Sequence, residues 1–293
     1  AAVGVGVVPI AYAEVWRILL YKLFHIGIGD AAGQLPLAYS DIVWELRFPR
    51  TLMAVIAGAG LALCGTVMQA SVQNPLAEPY ILGISAGASM GAAFAILIGG
   101  PLTMFGFGTA FWAFAGALAA AILVMVLSNA GGSTSTTKIV LSGTVANALF
   151  MGLTNLMIYL SGNVDGLRTV TFWTMGSLAA AKWDNLALPG AGIVLCSLYF
   201  LIQPGTLNAL LLGEEAAVTL GVDLNKVRRN NMIIAALMTA LIVSVCGVFA
   251  FIGLIIPHIV RGLVGSNHRR LTPCVILAGA LFLIWADVLA RVI

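Results

Sequence analysis

The stretch PYILGISAGASMGAAFAILIGGPLTMFGFGTAFWAFAGALAAAILVMVLSNAGGSTSTT, residues 79–137, holds no Asp, Glu, Lys, Arg or His. As unbroken helix its 59 residues would reach ~88 Å, far beyond the ~30 Å of bilayer hydrocarbon. It therefore reads as two membrane crossings with a break at Gly99-Gly100-Pro101. The rest of the chain agrees. Of 293 residues 61% are hydrophobic and 9% charged, against a usual charged share of ~25%. The mean hydropathy is +1.05. So few charges could not cover a water-soluble globule, which excludes a soluble enzyme, a nucleic-acid binder and a disordered chain, and leaves an all-α polytopic membrane protein. The net charge of +3 adds little.

Working outward from that stretch, charge-free windows place spans at 52–73, 80–98, 107–128, 139–160, 186–203, 231–250, a shorter 252–264, and 273–293. Residues 1–8 read as the stump of a first span, with no secretory signal ahead of them. Residues 9–50 form an external loop with an amphipathic helix around Glu14 to Phe24, and a short helix is expected within Thr169 to Leu178. The end at Ile293, inside an apolar segment, points to a further span beyond it. The four cysteines stand apart in apolar stretches, so neither disulfides nor a zinc site is indicated. Placing the first loop outside puts Lys138, Lys226, Arg228, Arg229, Arg261, Arg269 and Arg270 inside. Seven basic residues then lie on each side, and discounting the long first loop leaves seven against three for that orientation. At an offset of 182 residues Cys64-Gly65, Pro75 and Gly83 recur as Cys246-Gly247, Pro257 and Gly265. With an odd number of spans between them, the copies would be inverted in the membrane, as in many transporters.

Several motifs carry competing chemistry. Gly83-Ile84-Ser85-Ala86-Gly87 fits the Gly-x-Ser-x-Gly of serine hydrolases, and with His258 it defines the alternative function, an intramembrane serine hydrolase. Gly83, Gly87 and Gly91 also form one small-residue stripe for close helix contact, the stronger reading. Asn74-Pro75-Leu76-Ala77 is like one half of a water-channel turn whose second half is missing. None of the four lysines sits in a phosphate-binding loop, so ATP would be handled by another subunit. In Gln203 to Asn230, Gly213-Glu214-Glu215 precedes Ala216 to Leu220 and Gly221, which suits a short helix with acids in its first turn. Asp223 caps a second helix through Arg228 and Arg229. Arg47 and Arg50 flank Phe48-Pro49 at the outer edge of a span, where proline should hold Phe48 extended. Such a pair suits carboxylates from a partner.

Taken together, Arg47-Phe48-Pro49-Arg50-Thr51-Leu52, Asn74-Pro75-Leu76-Ala77-Glu78-Pro79, Gly213-Glu214-Glu215-Ala216, Phe251-Ile252-Gly253-Leu254, Ile256-Pro257-His258 and Ala286-Asp287-Val288-Leu289-Ala290-Arg291 resemble the permease subunit of type II ABC importers for vitamin B12, haem and iron-siderophores. The resemblance covers nearly the whole chain. It implies a ten-span permease fold with inverted repeats, incomplete here at both ends, in a single transmembrane domain over 1–293. It also implies a homodimer in the bacterial cytoplasmic (inner) membrane, two ATP-binding cassette ATPase subunits, a substrate-binding protein and a metal-chelate substrate. No cofactor or resident metal is implied. By the same likeness Arg47, Arg50 and Arg291 would dock the binding protein. Gly213, Glu214, Glu215, Ala216, Leu220 and Gly221 would form the coupling helix against the ATPase. Asn74, Leu76, Thr136 and Thr137 would gate the cytoplasmic mouth. The order of expectation for the cargo is ferric siderophore, haem, then cobalamin.

Overall fold

The computed structural model describes residues 2–25, 37–99, 108–129 and 135–292, and no strand occurs among them. Among the described residues six helices are long and apolar enough to cross a membrane, and two shorter apolar helices accompany them. In chain order the elements are α1 (Tyr12–Phe24), α2 (Leu37–Asp41), a π-helical stretch Ile42–Arg47, α3 (Phe48–Val72), a 3-10 turn Pro79–Leu82, α4 (Ile84–Leu97), α5 (Thr109–Asn129), α6 (Thr136–Ser161) and α7 (Val164–Thr174). Then follow α8 (Trp183–Leu201), α9 (Pro204–Leu211), α10 (Glu214–Thr219), α11 (Leu224–Cys246), α12 (Ile252–Val264) and α13 (His268–Val292). Each expected window from 52 onward contains a helix, with ends shifted by up to seven residues (231 against Leu224), but the 80–98 window holds only the short α4. The amphipathic helix is α1, which buries Val15 and Ile18. The short helix expected over 169–178 starts earlier, at Val164, because Asn163 caps it by accepting the N–H of Gly166. Residues 2–8 form turns and bends, not the helical stump expected.

Helix α3 is the axis of the molecule. Every residue from Ala57 to Val72 is buried, as a helix apolar on all sides must be. It packs against α8, α11, α12 and α13. Glycine permits the closest approaches: a Cβ on Gly65 would collide with the carbonyl of Gly253 in α12, and one on Gly58 with that of Gly279 in α13. Helix α4 meets α5 the same way, through Gly87 and Gly116, so the small-residue stripe is a packing surface.

Proline acts differently from expectation at the start of α3. Phe48 is helical, with φ −71° and ψ −48°, not extended. In an ordinary α-helix the Pro49 ring would clash with the carbonyl four residues earlier. The preceding turn widens into the π-helix Ile42–Arg47, in whose register Phe48 N–H bonds Val43 O. The next donor would be Pro49, which has none, so Trp44 O accepts instead from the Trp183 indole at 2.9 Å. Trp44, Phe48 and Trp183 pack their rings together around that bond.

The offset-182 pairs do not occupy equivalent places. Cys64 lies within α3 while Cys246 ends α11. Pro75 lies between helices, whereas Pro257 is inside α12. Gly83 precedes a helix and Gly265 follows one. The two short helices are related more loosely: both begin deep in the bundle, α12 with Gly253 against Gly65, and α4 with Gly83 against Ala146.

Candidate functional site

At one end of the bundle, the end where α3 finishes and α11 starts, the chain folds two short helices, α9 and α10. Gly213 has φ 100° and Gly221 φ 82°, values that favour glycine and set the limits of the second helix. Asp223 then caps α11 by accepting the N–H of Lys226. Glu214 and Glu215 stand in the first turn of α10, as expected, but their surroundings differ. Glu214 Oε1 accepts from Arg228 Nη2 at 2.7 Å, while Glu215 is exposed. Arg228 is only 1% exposed. Its Nε also donates to Ser71 O at 3.1 Å, and Asn231 Nδ2 donates to Ser71 Oγ at 2.9 Å. Gln73 Nε2 completes the join by donating to Leu210 O at 2.8 Å. The end of α3 is thus tied to the base of α11, through Arg228 to the start of α10, and directly to the end of α9. Sequence reading missed Arg228, Ser71, Gln73 and Asn231. Arg228 and Asn231 do share a helical face with the buried Ala235 and Thr239, which is the pattern that marks them.

The residues assigned to the gates meet at the same end. Asn74, Thr136 and Thr137 line one groove of about 560 Å³ with Gln73 and Thr144. Ser135 shapes it by capping α6, its hydroxyl accepting the N–H of Lys138. Asn74 also borders a second groove of about 450 Å³ with Gln69, Gly213 and Arg261. In both, its loop is held by an Asx turn in which Leu76 N–H donates to Asn74 Oδ1. Leu76 stands outside the groove wall and is 69% exposed. Further along the loop, burial pushes the Glu78 carboxyl above its ordinary range, an effect that the Phe251 N–H opposes.

The three expected docking arginines gather at the opposite end, but each is engaged within the chain. Arg50 Nε lies 2.7 Å from Asp287 Oδ1, and Arg291 Nε lies 3.1 Å from Asp287 Oδ2. Asp287 is almost fully enclosed, while the Arg50 side chain keeps 24% of its surface. Arg47 is buried, donating to the carbonyls of Val3, Gly4 and Val8 at 3.3, 3.1 and 2.6 Å. Arg291 also donates to Ala2 O. Asp287, unassigned by the sequence reading beyond its place in a motif, is the carboxylate around which this end is organised.

Between the two ends, Tyr80, Ser85, Ser89, Asn147, Thr154 and Asn155 border a recess of about 260 Å³ beside the start of α4. Its lining is neutral. Ser85 is buried in α4 and His258 is exposed on α12, with no hydrogen bond between them, so the hydrolase alternative has no catalytic pair. No group of three His, Cys, Asp or Glu suited to a metal occurs among the described residues. The arrangement offers polar grooves and helix joints, not a reacting centre.

Comparison with known proteins agrees with that description. The cobalamin import permease of Halobacterium salinarum is 38% identical over 250 residues, covering 85% of this chain and 66% of its own length. The hemin transport permease of Yersinia pestis is 35% identical over 288 residues, 93% of this chain and 86% of its own. The molybdate import permease of Haemophilus influenzae is 33% identical over 297 residues, 99% and 83% of the two chains. A solved structure described as an inward-facing metal-chelate type ABC transporter superposes with a TM-score of 0.79 at 31% identity, covering 96% of this chain and 90% of that one. Residues 1–293 match the family model described as the FecCD transport family. With that match over the whole chain and relatives that include cobalamin and hemin import permeases, this chain belongs to the FecCD transport family, the permease subunit of an ABC importer whose ATPase is a separate subunit.

Proposed function

We propose that this permease works as a homodimer that passes a metal chelate, an iron-siderophore before haem or cobalamin, into the cytoplasm by alternating access. A loaded binding protein docks near Arg50, Arg291 and Arg47. ATP-driven closure of the partner ATPases moves α10, and the groove at Asn74, Thr136 and Thr137 opens or shuts. The observation that carries this reading is the chain of contacts from α10 through Glu214 and Arg228 to Ser71, one turn from the Asn74 groove. A push on α10 is passed to the end of α3 because a buried guanidinium bonded on both sides leaves no slack. The permease itself makes and breaks no bond. It needs only partners that bind its inward and outward states unequally.

The uncharged lining of the recess beside α4, hydroxyls and amides set among apolar side chains, supports passage of a bulky chelate without a fixed charge to hold it. The named cargoes of the relatives, cobalamin, hemin and molybdate, span very different chemistries. Mass spectrometry of the ligand carried by the cognate binding protein decides the cargo: an iron-siderophore supports the reading, and a bare oxyanion refutes it. Glu215→Lys on the exposed side of α10 tests the coupling. In vesicles holding the whole importer, ATP hydrolysis should continue while uptake falls at least tenfold; uptake at the wild-type rate contradicts the role.

A further inference from the structure

We propose that a groove between α5 and α11 binds an anionic phospholipid from the cytoplasmic leaflet, with Arg229 on its phosphate. The two helices pack against each other and run in opposite directions, so the end of α5 at Asn129 lies beside the start of α11 at Leu224. Their groove holds about 310 Å³. Its lining changes along its length. Ser128, Asn225 and Arg229 line the mouth nearest the helix ends, while Ile122, Val126 and Met232 form the wall that lies a turn or two deeper. From Arg229 to Met232 the rise is ~4.5 Å, and from Asn129 back to Ile122 it is ~10 Å. That order, cation and amides outside and hydrocarbon within, matches a lipid head followed by its acyl chains.

Exposure gives the groove its surroundings. Ile122 and Val126 are 56% and 64% exposed, on the side of α5 away from the buried Ala117, Ala120 and Val124 that meet the bundle. An apolar face turned outward from a membrane bundle faces acyl chains. Charge gives it its selectivity. Arg228 is spent inside the protein, but its neighbour Arg229 is exposed and makes no ion pair among the described residues. Of the acids in this stretch of chain, Asp223 accepts the Lys226 N–H, Glu214 holds Arg228, and Glu215 is exposed on α10 with no ion pair to Arg229. A basic site between spans on the cytoplasmic side suits an anionic head group, and the deep apolar wall distinguishes a lipid from a free phosphate ion.

The leaflet assignment rests on taking the α10 end as cytoplasmic; the binding itself does not. The test uses the full-length permease, stripped of lipid in detergent and titrated with phosphatidylglycerol or phosphatidylcholine under native mass spectrometry. Phosphatidylglycerol should bind about fivefold more tightly, the effect of one basic group near the head. Arg229→Gln should bring the two lipids to parity, and Arg229→Lys should keep most of the preference. Ile122→Ser with Val126→Ser should weaken both lipids alike. Equal binding of both lipids by the unaltered protein, a preference that survives Arg229→Gln, or no bound lipid at all would each overturn the proposal. So would displacement of phosphatidylglycerol by millimolar inorganic phosphate, which would make this an ion site. ATP-driven uptake, measured in vesicles holding the whole importer, tests the coupling and gating roles separately, because lipid preference in detergent requires no partner subunit.

Discussion

Arg228 and Arg229 are adjacent and chemically identical, yet one is sealed inside and the other open to its surroundings. The ~100° between successive helical residues separates them: one faces α3 and the other the membrane boundary. Glu214 is the only counter-charge of the buried guanidinium among the described residues. Glu214→Gln should therefore lower stability by roughly 1–2 kcal/mol, less than the ~3–5 kcal/mol of breaking a fully buried pair, because the glutamate is half exposed. Thermal unfolding of the purified permease checks this, with Glu215→Gln as a control expected to unfold like the unaltered protein. An equal effect of the two substitutions would show that the pair carries no special weight. Adjacent arginines give a reader of sequence little reason to prefer one. The choice becomes legible only when Asn231, Ala235 and Thr239 are traced along the same face.

The joint at the head of α3 shows what a whole element adds. Pro49 withholds a donor, the π-turn relocates the resulting vacancy to Trp44 O, and Trp183 of α8 fills it across 139 residues of chain. Trp183→Phe keeps most of the ring packing but orphans that carbonyl, an expected loss of about 1–2 kcal/mol. Adding Pro49→Ala supplies a backbone N–H in the same register, so the double variant should recover much of the lost melting temperature. If the second change gives no recovery, the explanation is wrong. A proline after Phe48 was legible as a restriction, but its relief by a widened turn was not, because that depends on a partner far along the chain. Close packing offers a second test. Gly65→Ala would drive a methyl into the Gly253 carbonyl and should prevent assembly of α3 with α12, whereas Gly152→Ala, with nothing within 4 Å, should be tolerated. Purified yield of the folded permease in detergent distinguishes the two. The apolar windows located these helices reliably because lipid demands long uncharged runs; the offset repeat misled because identities a fixed distance apart carry no information on where helices begin.

For the whole molecule, the two ends differ in what they leave available. At the α10 end the contacts converge on one buried guanidinium; at the other, Arg50 and Arg291 share one carboxylate while Arg47 is held by backbone carbonyls. The family motifs made both clusters visible as groups of residues, but not their internal partners. Arg47 meets carbonyls 39 to 44 residues away, a relation no local pattern records. If the outer arginines receive a binding protein, Arg50→Glu should weaken its capture more than Arg47→Gln, since Arg50 retains open surface and Arg47 does not. Binding measured at low and high salt should show the Arg50 effect shrinking as salt rises. A larger loss from Arg47→Gln would reverse the assignment.

Asp287 gives that cluster a further property. A visiting acid would find Arg50 and Arg291 already paired with Asp287, so attachment would be a trade of one anion for another instead of the capture of a naked cation. Three positive groups against one negative still draw a carrier in from a distance, but little is gained at contact. Delivery by a shuttle that must leave empty, and soon, is what such an exchange favours.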